Sequence, residues 1–116
     1  MPAKVIRPAD RHLESIHPNE PAHPNASVRK QVLSAADPYA HLIEVPPGHA
    51  VLSHSHSEPE VTVVLSGSLV IDGTACASGS VLVVPADERY AFCAGPDEPL
   101  TFLVLRPRPS TNDLHA

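Results

Sequence analysis

The sequence has no tryptophan and few aromatic rings of any kind, two tyrosines and two phenylalanines among 116 residues. Proteins that bind single-stranded nucleic acid stack bases on aromatic rings set among lysines and arginines. Here eight basic residues stand against thirteen acidic ones, a formal net charge of −5, which argues against a nucleic-acid partner. No apolar run approaches the roughly 20 residues of a membrane helix. Met1 to Ser15 alternate charged and apolar types in place of the continuous apolar stretch of a secretory leader. The expected location is the cytoplasm, with no membrane contact. Cysteine is scarce as well. Cys76 and Cys93 stand alone with no CxxC spacing, which in that compartment predicts two reduced, half-buried thiols rather than a disulfide or a metal clamp.

What is present is a core and its punctuation. Hydrophobic residues make up 42% of the chain and charged residues 18%, enough for one packed domain and too little length for two. Fourteen prolines and five glycines cut the chain into short segments and exclude long helices. From residue 27 onward the segments between breakers are short and rich in Val and Leu: Ser27 to Leu33, Tyr39 to Val45, Val51 to Ser53, Val61 to Leu65, Ser68 to Ile71, Val81 to Val84, Arg89 to Phe92 and Leu100 to Leu105. Turn signals such as Pro46-Pro47-Gly48, Asp72-Gly73 and Gly95-Pro96 separate them. Regular short strands with such turns predict an all-β sandwich or barrel.

The expected organisation is an N-terminal arm over residues 1–25, a barrel over 26–106, and a loose, polar, proline-rich tail over 107–116. Two strands, Val61 to Leu65 and Val81 to Val84, are apolar on both alternating faces. A small barrel with one face in water does not favour that, so an outer cover is expected, most simply the same sheet of a second copy in a two-fold homodimer.

The segment from Gly48 to Glu60 carries the chemistry. On an extended strand residues two apart point the same way, so His54 and His56 form a chelating pair. Glu60 opens the next strand and can bring a carboxylate to the same point. Two imidazoles and a carboxylate with open positions suit Fe(II), and equally Mn, Ni, Zn or Co. Glu58 points the other way and reads as a surface charge. The scattered histidines His12, His17, His23, His49 and His115 read as solvated loop or tail residues.

At these residues the sequence resembles the cupin superfamily, whose first motif is G(X)5HXH(X)3,4E(X)6G. Gly48, His54, His56, Glu60 and Gly67 match it in residue type and spacing. The resemblance covers roughly residues 38 to 105 and implies a double-stranded β-helix, or jelly-roll barrel, with one divalent metal (Fe, Mn, Ni or Zn) in one mouth. The second family motif, G(X)5PXG(X)2H(X)3N, is met only by Gly79 and Pro85. Asp87 replaces its glycine, Tyr90 its ligand histidine and Ala94 its asparagine.

Direct coordination by Tyr90 is the least favoured role, because a phenol loses its proton only near pH 10 unless strongly perturbed. Contact with a metal-bound water or with substrate is favoured. His41 is a substitute ligand if it faces inward, which alternation alone does not decide.

The function expected is a metal-dependent enzyme of dioxygenase, isomerase or lyase type on a small organic metabolite, with Glu60 and Tyr90 as catalytic groups. Thr62, Val64, Tyr90 and Phe92 would line its pocket. The alternative is a non-catalytic binding module or sensor for a small ligand or metal, which the altered second motif favours.

Overall fold

The computed structural model describes residues 3–16 and 28–114. After a short 3-10 turn at Pro8–Asp10 come eleven strands: β1 (Glu14–Ser15), β2 (Arg29–Ala35), β3 (Tyr39–Val45), β4 (Ala50–His56), β5 (Glu60–Ser66), β6 (Ser68–Ile71), β7 (Thr74–Ala77), β8 (Val81–Val84), β9 (Tyr90–Ala94), β10 (Leu100–Arg106) and β11 (Asn112–Leu114). They form two antiparallel sheets, one ordered β1-β2-β3-β10-β5-β8 and the other β11-β4-β9-β6-β7. The all-β barrel expected from the segment pattern is what the chain builds. None of its described helices is long and apolar enough to cross a membrane.

The turns explain the connections. Ile71 pairs with Thr74, so Asp72-Gly73 is a two-residue hairpin loop, and both residues have positive φ, 49° and 76°. Asp-Gly is the pairing that such a tight turn accepts. The hairpin adds β7, whose Thr-Ala-Cys-Ala composition gave no strand signal. Gly67, at φ 74°, lies against the chain before β10: a Cβ there would sit 2.2 Å from the Pro99 carbonyl oxygen. Only glycine meets both demands.

Cross-strand registers arrange the inward side chains in layers. On β3, β10 and β5 the pairs Val104↔His41 and Val104↔Thr62 lie in one layer, and Phe102↔Ile43 and Phe102↔Val64 in the next. Leu100 and Val45 close the far end, both without solvent exposure. From the other sheet Val51, Leu69, Phe92 and Ala94 meet this apolar half, and Phe92 packs edge-on against Phe102 at 5.6 Å. The opposite end of the interior is polar. Tyr39, His41, His54, His56, Glu60, Thr62 and Arg106 are all buried there.

Two expectations change at the edges. Residues 107–116 were expected to be loose, yet β11 pairs with the outer edge of β4, Asn112 opposite His56 and Leu114 opposite His54. Glu58 is no free surface charge, because its carboxylate pairs with Arg108 of the same segment. Ser110 Oγ accepts from the Glu58 N–H at 3.1 Å, and the Thr111 N–H donates to Ser57 Oγ at 3.0 Å. These bonds clip the segment across the β4–β5 connection. On the outer face of the larger sheet Val81, Val83 and Leu105 are exposed in the single chain, at 58%, 75% and 41%.

Candidate functional site

The polar end begins with an irregularity in β4. Its register against β9 shifts between Val51 and His54, so Val51 faces in opposite Phe92 while Leu52 turns out to solvent. A bulge of this kind re-aims the side chains that follow it. Strict alternation would have buried Leu52 with His54 and His56; the shift instead places His54 Nδ1 2.7 Å from the Leu52 carbonyl oxygen. With Nδ1–H donating to that carbonyl, His54 is fixed as the tautomer whose lone pair is on Nε2. The rings of His54 and His56 meet at 4.8 Å, nearly perpendicular.

Tyr90 comes from β9, directly opposite His54 in the register. Its ring stacks on Phe92 at 5.9 Å and lies 4.5 Å from the His54 ring. Its hydroxyl donates to Glu60 Oε2 at 3.2 Å and sits 3.1 Å from His56 Nε2. With that donation made, His56 presents Nε2–H to the phenol oxygen. Burial first, and then the neighbouring Glu60 carboxylate and its hydrogen bond, push the Tyr90 phenol well above its ordinary value, with Arg106 opposing. Tyr90 therefore stands as a protonated donor to Glu60. Alternation holds through β9, so the half-buried Cys93 faces away from Tyr90. Both cysteines are free and half-buried, as expected.

Glu60 is the hub. Arg106 donates to its Oε1 through Nη2 at 3.0 Å and Nε at 3.3 Å. Thr62 donates to Oε2 at 2.6 Å, and His56 Nε2 lies 3.5 Å from Oε1. The Arg106 and Glu60 side chains are 5% and 2% exposed. The guanidinium also lies over the Tyr39 ring at 5.4 Å, and the Tyr39 hydroxyl is 2.9 Å from His41 Nδ1. His41 does face inward, with its Nδ1 against the Tyr39 hydroxyl.

The expected site residues thus fall into two groups. His54, His56, Glu60, Thr62 and Tyr90 come together. Val64 and Phe92 form the apolar floor beneath them, inside the core cluster. Beside Tyr90 opens a cleft of about 280 Å³ lined by Ile71, Leu82, Pro85, Glu88 and Arg89 among others. Of the scattered histidines, His12 is exposed beside Glu14, whereas His49 is half-buried and not fully solvated. His17, His23 and His115 lie outside the described residues.

Sequence reasoning missed Arg106 and Tyr39. The signal for Arg106 was parity, because Leu100, Phe102, Val104 and Arg106 share one face of β10, and a strand ended at Leu105 hides it.

The donor set does not fit a three-ligand metal centre as it stands. Among the described residues no three His, Cys, Asp or Glu side chains converge to hold an ion. The physical reason is visible at Glu60, where both oxygens already accept from Arg106, Thr62 and Tyr90.

No protein-family model matches the chain, and no curated protein matches it in sequence. Solved structures do match in shape. The polyketide cyclase RemF from Streptomyces resistomycificus superposes with a TM-score of 0.79 at 22% identity, covering 98% of this chain and 86% of its own. A cupin-2 domain protein from Rhodospirillum rubrum gives 0.68 at 21% identity, covering 100% and 82%. An RmlC-like cupin protein from Ralstonia eutropha gives 0.74 at 12% identity, covering 100% and 78%. With two antiparallel sheets closed around a core that is apolar at one end and polar at the other, the chain has the fold of the cupin superfamily, a double-stranded β-helix.

Proposed function

We propose that this chain is a cupin enzyme of isomerase or lyase type, moving a proton on a small organic molecule bound at the polar mouth of the barrel. The observation that carries the reading is the buried relay His56–Tyr90–Glu60–Arg106 beside His54. Burying that many polar groups costs free energy unless each is hydrogen-bonded. The arrangement supplies complementary partners. His54 offers Nε2 as a base. Tyr90, its hydroxyl hydrogen held by Glu60, orients His56 beside it, and Arg106 balances the Glu60 charge. Of the relay residues, Tyr90 alone borders the cleft, together with Arg89 and Glu88. That RemF, of like fold, is a polyketide cyclase supports an enzyme acting on small organic molecules.

A divalent ion on His54 and His56 with Glu60, as the motif spacing implies, would supply Lewis acidity. Its third donor is committed to Arg106, so no step is assigned to it. The alternative, a binding module without turnover, is favoured by Tyr90 standing where the family motif has histidine. The exposed Val81, Val83 and Leu105 support a homodimer through the outer face.

The test is a panel of small organic acids and ketones scored first for thermal stabilisation and then for conversion by NMR. A ligand that is converted by the wild type, and still binds but is not converted by His54→Ala, supports the enzyme. Binding without conversion by the wild type assigns the chain to the alternative.

A further inference from the structure

Arg106 ends β10 on the inward face, in register with Tyr39 across the sheet, and points its guanidinium at the carboxylate that the HXH(X)3E spacing would give to a metal. Glu60 and Arg106 offset each other as an ion pair with both side chains almost wholly out of solvent. A divalent ion entering beside Arg106 would raise the buried charge by two with one carboxylate to share. The cost of burying unbalanced charge in this low-dielectric interior is large. His56 Nε2 is also turned to Tyr90 and Glu60 rather than left toward a common point with His54.

We infer that Arg106 is the resident cation of this site: it occupies the place of a metal in the charge balance and closes the His54–His56–Glu60 set to divalent ions. The metal motif persists, but its carboxylate serves an arginine. Arg106 is thus a specificity-determining residue for cation choice. This rests on the preceding reading only for the location of the site, because metal uptake is read without any substrate.

The experiment is a titration of chelator-treated full-length protein with Co(II), followed by calorimetry and by the visible d–d spectrum. Wild type is expected to take up no Co(II) at the site at low micromolar concentration, and Glu60→Gln to change nothing. Arg106→Met is expected to gain Co(II) affinity by at least about tenfold, the scale that removal of one adjacent buried charge supports, and to lose the gain in Arg106→Met/Glu60→Gln. Folding of each variant is checked by circular dichroism. A folded Arg106→Met that binds Co(II) no better than wild type overturns the inference. So does stoichiometric micromolar uptake by wild type that Glu60→Gln abolishes, a result that needs no Arg106 variant. Neither outcome bears on whether a substrate is turned over.

Discussion

Arg106 and Glu60 meet at 3.0 Å with both side chains almost wholly out of solvent, joining the last residue of β10 to the first of β5. Removing one partner strands the other charge in the barrel. Arg106→Met is expected to cost about 3–5 kcal/mol of stability, whereas Arg106→Met/Glu60→Leu is expected to recover most of it. Urea denaturation of the two single variants and the double variant measures the coupling. Additive costs would mean that the pair does not act as a unit.

Tyr90→Phe keeps the ring stacked on Phe92 and removes only the hydroxyl between His56 and Glu60. A loss of about 1.5–3 kcal/mol is expected, the scale of one hydrogen bond to a charged acceptor. Thermal denaturation checks it, with an unchanged far-ultraviolet spectrum as the sign that the barrel is intact.

Gly67 and Gly73 share a positive φ, but only Gly67 has backbone within reach of a Cβ. Gly73→Ala is expected to cost about 1 kcal/mol, the strain of a left-handed alanine. Gly67→Ala adds a contact with the Pro99 carbonyl and is expected to cost at least about 3 kcal/mol. Equal denaturation midpoints for the two variants would refute the steric account.

Burial holds the His49 imidazole below its ordinary value of 6.5. The unfolded chain then takes up this proton more readily than the fold does. Stability from this residue is complete above about pH 6.5 and declines as pH falls from there toward the folded-state value. Denaturation midpoints at pH 7.5 and pH 5 are expected to differ more for wild type than for His49→Asn.

If the outer face is a two-fold interface, Val83→Glu separates the copies. Light scattering after size exclusion is expected to give twice the chain mass for wild type and the single mass for the variant. A wild-type monomer at low micromolar concentration would remove the dimer from the proposed function.

The fold was legible because its signals are local. Asp72-Gly73 and the glycines at 48 and 67 mark turns, and the Val-rich runs between them have the length of strands. The site was half legible. His54, His56 and Glu60 stand at a recognisable spacing, and Tyr90 falls at a motif position. What the spacing did not reveal was tertiary. The bulge that turns Leu52 out and points its carbonyl at His54 depends on pairing with β9. The partnership of Glu60 with Arg106 spans 46 residues. The strand Asn112–Leu114 has little apolar character of its own, and it forms because β4 offers an open edge.

That last strand completes the flank of the site. Strand β4, which carries both imidazoles, has β9 on one side and β11 on the other. Without β11 the His54–His56 strand is a bare sheet margin, so trimming of the chain after Arg106 would expose the backbone edge of the strand that carries both imidazoles.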